Sequence, residues 1–322
     1  IVLAVVCLFF SNESSFPQNN LGNRLVGPQP DGSILVPTNQ LLRPAGFQIQ
    51  MPGRPVDLAL SPNGQWLAVK NRKSLDLIRV SDRTIMQTLP YGRSGASFTG
   101  VTFSQDGRKI YVTEARNRIH VAELSLQNIL SWQEPIVFSD APVGGNPVPG
   151  GFVLVDSLKK IFATLSRSNS LAIVNLEDYS INEIPTGIAP YEVVLYSTEK
   201  AYVSNWGGRV PQEGESTSIT SGSKALVDPK TGIGNNGSVS VIDVNSGKSI
   251  KNIDVGLHPN EMVFSPDKKR LFVACSNSDK IFVINTNEDK VVDEISVHLD
   301  KNVPFGSAPN ALSISQGGSR LF

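Results

Sequence analysis

Leu67-Ala-Val-Lys-Asn71 is a short apolar strand ending on a polar residue, and the chain keeps returning to it. The copies are Ile110-Tyr-Val-Thr-Glu114, Ile161-Phe-Ala-Thr-Leu165, Ala201-Tyr-Val-Ser-Asn205 and Leu271-Phe-Val-Ala-Cys275, and Leu321-Phe322 opens a sixth. From first residue to first residue the steps are 43, 51, 40, 70 and 50 residues. A period of about 40 residues or more, with several strands in each unit, marks an array of repeated sheets, not one irregular core.

Working outward from each copy gives the unit. An alternating apolar strand precedes it, as in Val56-Asp-Leu-Ala-Leu60, Gly100-Val-Thr-Phe103, Phe152-Val-Leu-Val155, Val193-Val-Leu195 and Met262-Val-Phe264. Pro62-Asn-Gly64, Gln105-Asp-Gly107 and Pro266-Asp-Lys268 stand between the two, and these residue types close tight hairpins. A third strand follows, such as Leu171-Ala-Ile-Val-Asn175 or Ile281-Phe-Val-Ile-Asn285, then an outer one such as 291–295. Four short strands per period make one propeller blade. The predicted fold is therefore all-β, a β-propeller of four-stranded antiparallel blades at about 54–89, 97–138, 149–184, 189–255 and 259–297. A part-blade is expected at 21–52 and the start of a further blade at 306–322. Helical periodicity is confined to a hint at 124–132. Pro37, lacking a backbone donor, is expected on an edge or at a bulge.

Composition sets limits. With 40% hydrophobic and 18% charged residues the chain has enough apolar mass to bury a core. Twenty-nine basic against 29 acidic residues, with no run of like charge, recommend neither nucleic acid nor an anionic membrane as partner. Ile1–Phe10 is wholly apolar, but as a helix ten residues rise only about 15 Å, too short to span a bilayer. Residues 1–15 are read as the remnant of a signal-peptide h-region and its cleavage region, with 16–322 the propeller, so export is expected, of a bacterial type: periplasmic, cell-surface or extracellular. Cys7 falls in that run; Cys275 then stands alone at a strand position and reads as a small core hydrophobe.

The 70-residue step holds an insertion rich in Gly, Ser, Thr and Pro between Trp206 and Asn236, and loops of such length on compact blades are functional or disordered. Asn205, Trp206, Gly207, Gly208 and Arg209 open it: an aromatic face beside a guanidinium suits anionic or sugar-like groups, while the plainer reading is two glycines that let the loop leave the strand. Asp57, Glu192 and Glu261 occupy equivalent places on the innermost strand and are expected near the channel; Arg54, Lys70, Arg72 and Arg116 fall at or near strand ends. His258 precedes Pro259 at a blade lead-in and is expected to face the channel. His120, His258 and His298 have no neighbours at metal-ligand spacing, and no nucleophile elbow, phosphate-cradling loop or carboxylate pair is present. No catalytic, metal or cofactor residue is therefore assigned.

The recurring strand and its Gly-x-x-Pro lead-in, at Gly187-Ile-Ala-Pro190, Gly256-Leu-His-Pro259 and Gly306-Ser-Ala-Pro309, resemble the YVTN β-propeller repeat of surface-layer and YncE-like proteins over roughly Gly32–Phe322. More narrowly, Arg54–Pro62, Ser204–Arg209, Val227–Ile233 and Pro304–Asn310 are similar to the N-terminal propeller of exported bacterial proteins that fuse it to an alkaline-phosphatase-like phosphoesterase. That resemblance implies seven blades and a metal-dependent hydrolase beyond Phe322, so the chain reads as an incomplete ring and inherits no catalytic role. Leu165 and Cys275 depart from the repeat's Asn, and the turn Asp156-Ser-Leu-Lys159 makes blade three a candidate for irregularity. The resulting expectation is a binding or scaffold module with an unidentified ligand or protein on a propeller face. The alternatives are an enzymatic propeller of the lactonase kind, working through channel acids, and a structural surface-layer component.

Overall fold

The structure, a computed structural model, describes residues 24–37, 41–43, 46–93, 95–298 and 306–322. The signal-peptide reading of 1–15, Cys7, the first residues of the part-blade and Pro304 fall outside them. The chain divides into a unit ending at Pro52 and a unit from Gly53 to Phe322. In the first, Gly27–Pro28, Ile34–Leu35 and Leu41–Leu42 form a three-stranded antiparallel sheet, and Pro37 lies in a turn beyond its second strand.

The second unit is a β-propeller. Its five blades are antiparallel sheets whose strands run in chain order from first, innermost, to fourth. Blade 1 is built from Pro55–Leu60, Trp66–Asn71, Ser74–Arg79 and Thr84–Pro90. Blade 2 comprises Ala96–Phe103, Lys109–Glu114, Arg118–Leu124 and Leu130–Trp132, with Ile136–Val137 also paired to its third strand. The helical hint at 124–132 is therefore corrected: a turn and a short strand occupy it, because Leu130 is pulled into the core beside Trp132. Blade 3 contains Pro149–Val155, Lys160–Leu165, Ser170–Asn175 and Ile181–Pro185. It is a regular four-stranded sheet, its unusual turn closing as a single 3-10 turn with Lys159 at φ 47°. Blade 4 has Pro190–Leu195, Lys200–Asn205, Gly237–Asp243 and Lys248–Val255, and blade 5 has Pro259–Phe264, Arg270–Cys275, Lys280–Asn285 and Lys290–Ser296. A bridge between Ile314 and Leu321 starts one more hairpin.

The recurring stretch is the second strand of every blade, and its position explains its composition. In blades 2 to 4 the second strand lies between two blades, so both faces are covered; Ile110–Glu114, Ile161–Leu165 and Ala201–Asn205 are buried without interruption. A strand buried on both faces is apolar along its length instead of alternating. Ala68, Leu75 and Leu77 of blade 1 pack on Val101, Phe103 and Val112 of blade 2, and comparable clusters fill the next three junctions. Burying one such side chain stabilises by about 1.5–3 kcal/mol, so the junctions hold the fold. The first hairpins share one device. Ser61, Ser104, Ser265 and Ser315 each accept, at Oγ, the backbone N–H that reopens the strand, at 2.9 to 3.0 Å. Gly64, Gly107 and Gly318 supply the positive φ these turns need. Cys275 is fully buried as a core residue, and desolvation pushes its thiol up to about 12.

Candidate functional site

The first strands line the channel, and their register decides what faces it. Each pairs with its second strand across a bulge, which re-aims the residue just before the regular ladder resumes. That residue is Gly100, Gly151, Glu192 and Glu261 in blades 2 to 5, and the matching residue of blade 1 is Asp57, which stands opposite Lys70 where the ladder resumes. The three acids expected at the channel thus occupy one structural position, and blades 2 and 3 have glycine there. Gly151 leaves the space that the Glu192 carboxylate fills, since a Cβ at 151 would collide with it. Asp57 Oδ2 accepts the Gly100 N–H at 2.6 Å and Glu261 Oε2 accepts the Leu312 N–H at 3.2 Å. All three acids line one chamber of about 240 Å³. Desolvation, reinforced by the neighbouring acids, raises Glu192 to about 8 and Glu261 to about 7.

The next-to-last position of the second strand, Lys70, Thr113, Thr164 and Ser204, binds blades to one another. Thr164 Oγ1 lies 3.1 Å from Gly151 O of its own blade and 3.0 Å from Tyr191 O of the next. Ser204 donates to Asn260 O of blade 5 at 2.7 Å. In blade 1 a lysine takes this slot: Lys70 Nζ donates to Ser97 Oγ at 2.9 Å, to Thr113 Oγ1 at 2.8 Å and to Thr99 O, all in blade 2. Lys70 is fully buried, and desolvation lowers it to about 7 despite the opposing pull of Asp57 and Glu192.

At the channel mouth the residue before the lead-in proline adopts positive φ in four successive cases: Val148 at 56°, Ala189 at 52°, His258 at 57° and Ala308 at 43°. A residue before proline is ordinarily extended, so this conformation is held by the surrounding structure. His258 alone among them carries a polar ring. It stacks on Trp206 with centroids 4.0 Å apart, Trp206 stacks on Tyr191 at 4.5 Å, and Phe98 tilts against Trp206 at 5.2 Å. Trp206 Nε1 donates to Asn260 Oδ1 at 2.7 Å, and His258 Nδ1 meets Ser276 Oγ at 3.1 Å. Burial holds the imidazole below its usual pKa.

This aromatic stack stands between two cavities. One, of about 450 Å³, is the mouth, walled by Arg54, Asp57, Trp206, His258, Asn260 and Glu261. The other, of about 590 Å³, lies under the insertion, which folds into a hairpin of Thr217–Thr220 and Ser223–Leu226 and is held to blade 3 by Asn169 Nδ2 donating to Ser223 Oγ at 2.8 Å. Trp206, Phe98, His258 and Asn277 border both.

Of the residues singled out from sequence, Trp206, His258, Glu261 and Arg54 meet at the mouth and Glu192 lies in the adjoining chamber. Asp57 lines both the mouth and that chamber, and Gly207 lines the cavity under the insertion; the others stand outside these walls. Arg209 is clamped by both oxygens of Glu215, inside the insertion. Asn205 is buried, donating to Ser238 and Ser240. Gly207 and Gly208 serve close approach, since side chains there would strike Ile188 and Asn236. Arg72 is exposed in the turn after blade 1's second strand. Sequence reasoning missed Phe98, Tyr191 and Asn260, whose significance depends on contact with Trp206, and it missed Arg167 under the insertion. No group of three His, Cys, Asp or Glu among the described residues is arranged to hold a metal ion.

Three solved structures of β-propeller proteins share this architecture. Kuenenia stuttgartiensis hydrazine synthase aligns at a TM-score of 0.62 and 16% identity over 87% of this chain and 76% of that one. U3-55K aligns at 0.62 and 12% identity over 88% and 76%, and the dihydro-heme d1 dehydrogenase NirN at 0.56 and 13% over 82% and 51%. Identities this low establish the fold alone. No family model and no curated protein matches the chain. Among the described residues no helix is long and apolar enough to cross a membrane.

Proposed function

We propose that this propeller is a binding module for a small molecule, seated where the Tyr191–Trp206–His258 stack joins the mouth to the cavity under the insertion. The observation that carries this reading is the stack itself. Trp206 and His258, fixed by Asn260 and Ser276, border both concavities, with Tyr191 stacked on Trp206 at the mouth, and flat aromatic faces with a few placed polar groups are how binding pockets are built. The test follows the probe N-phenyl-1-naphthylamine by its fluorescence. Saturable binding to the purified chain, weakened at least about tenfold by Trp206→Ala, supports the reading. Equal binding by wild type and variant overturns it.

On the resemblance of its repeats and of 204–209 and 227–233, the module belongs to an exported YVTN-type protein with a phosphoesterase domain beyond Phe322. The reading frame past Phe322 tests this, because a sequence there without a metal-binding hydrolase removes the fusion. Robust phosphodiester hydrolysis by residues 1–322 alone would contradict a pure binding role.

One observation favours a second reading, a hydrolytic propeller of the lactonase kind: Asp57, Glu192 and Glu261 share one chamber, and buried Lys70 carries hydrogen bonds at its edge to Thr99 and Thr113. A carboxyl held near neutrality suits general acid–base work. Lactone hydrolysis by the wild type, abolished in Glu192→Gln, is the outcome that would promote it.

A further inference from the structure

The cavity under the insertion contains a cation that no carboxylate among the described residues pairs with. Arg167 follows the second strand of blade 3, and its backbone N–H donates to Pro147 O at 2.9 Å. Its guanidinium lies in a slot between two glycines. A Cβ added at Gly145 would stand 3.6 Å from Cζ, and one at Gly222, at the tip of the hairpin, 3.6 Å from Nη2. Both glycines have positive φ, 76° and 87°, so neither position readily accepts a side chain. Arg167 Nε is buried and donates no hydrogen bond. Among the described residues no carboxylate lies within ion-pair distance of Arg167, and none lines the cavity. Arg209, the other arginine of this region, is already neutralised by Glu215.

An arginine placed this way is unusual. Its Nε has lost water without gaining an acceptor, and the guanidinium's planar fork of donors fits a carboxylate, sulfonate or phosphate group better than any other partner. The remaining walls differ in character: Phe98, Trp206, Leu226 and Ile233 are apolar, and Ser218 and Thr220 offer hydroxyls. One charged anchor and an aromatic and aliphatic wall define a ligand with two halves.

We infer that the cavity takes a small organic anion, with its oxyanion group on Arg167 and its apolar ring body against Trp206, Phe98, Leu226 and Ile233. This rests on the binding role proposed above, and it adds the ligand's charge and the residue that selects it.

The experiment compares two probes of one skeleton on the full chain: 1-anilinonaphthalene-8-sulfonate, which is anionic, and N-phenyl-1-naphthylamine, which is not. The wild type is expected to bind the sulfonate more tightly. Arg167→Gln is expected to weaken sulfonate binding about 10- to 100-fold, the size expected for a charge-assisted pair, while leaving the neutral probe within about twofold. Arg167→Lys restores part of the loss, and hydrogen-exchange protection across 217–226 shows whether the hairpin is still in place. Competition by benzoate and by phenyl phosphate then separates carboxylate from phosphate ligands. If the neutral probe binds as well as the sulfonate and both are indifferent to Arg167→Gln, the anion inference falls while the binding role stands. If both probes are weakened equally with the hairpin still protected, Arg167 is a packing residue and the inference again falls. If neither probe binds the wild type, both readings fail.

Discussion

Replacing Lys70 with Met tests the electrostatics of the channel wall directly. Lys70 is fully buried, and desolvation holds it near 7, whereas in an unfolded chain it returns to about 10.5. Because the native value is the lower one, the unfolded chain binds more protons between pH 7 and 10.5, and stability must climb as pH rises through that window. The whole window corresponds to on the order of 5 kcal/mol, of which about 3.5 kcal/mol falls between pH 7 and pH 10. A methionine of similar length cannot titrate. It also leaves no polar group stranded, because Ser97 Oγ lies 2.9 Å from Thr113 Oγ1 and Thr113 donates to Thr99 O at 2.6 Å. The variant therefore folds, and relative to wild type it is better placed at pH 7 than at pH 10 by about 3.5 kcal/mol. Urea denaturation followed by tryptophan fluorescence and far-ultraviolet circular dichroism, at both pH values, measures this difference. A gap between variant and wild type that is the same at pH 7 and pH 10, to within about 0.5 kcal/mol, would show that Lys70 is not held in a desolvated state.

The channel acids act with the opposite sign. Glu192 and Glu261 are raised to about 8 and about 7, so the stability they contribute is complete below pH 4.5 and is lost as pH rises to about 8. Glu192→Gln should flatten that fall by about 4 kcal/mol and Glu261→Gln by about 2.5 kcal/mol, seen as a smaller drop in Tm between pH 5 and pH 8.5. Thr164→Val keeps the shape of the side chain but removes the hydroxyl between Gly151 O and Tyr191 O. It should lower stability by about 1–2 kcal/mol in urea denaturation, and an unchanged midpoint would mean that this link between blades 3 and 4 carries no weight.

The fold was legible because it is iterated. A second strand sandwiched between blades must be apolar on both faces, so Ile110–Glu114 and Ile161–Leu165 announce themselves without any tertiary knowledge. The channel acids were legible for a related reason: Asp57, Glu192 and Glu261 share one place in the repeat, and one place in a repeat is one place in space. One signal lay in the same register and was not used. Where the other copies have Thr, Ser or Ala, Leu67-Ala-Val-Lys-Asn71 has lysine, and a lysine in a small-residue slot between buried strands has to find partners across the junction. What could not be read was whatever depends on the insertion's path. The sequence sets Arg209 beside Trp206, but folding turns Arg209 away to Glu215, while Arg167, just past the second strand of the neighbouring blade, shares a cavity wall with Trp206 and lies beside Gly222 at the hairpin tip.

The same contrast explains why the candidate site lies at blades 3 to 5. A propeller made of identical units would present the same group from every blade, and no place on its face would differ from another. Here the backbone repeats faithfully, down to the positive φ before proline at Val148, Ala189, His258 and Ala308, while the side chains do not. Glycine at 100 and 151 opens the channel wall on one side, and the Glu192 carboxylate moves into the gap. At the lead-in position His258 replaces small aliphatic residues, and at the end of blade 4's second strand the chain leaves through Trp206 to build the hairpin. Recognition requires an asymmetric surface, and in an iterated fold asymmetry comes only from departures from the repeat. Three such departures, His258, Trp206 and the insertion, converge on two cavities that share a wall, so that convergence, and not the repeat, carries the functional argument.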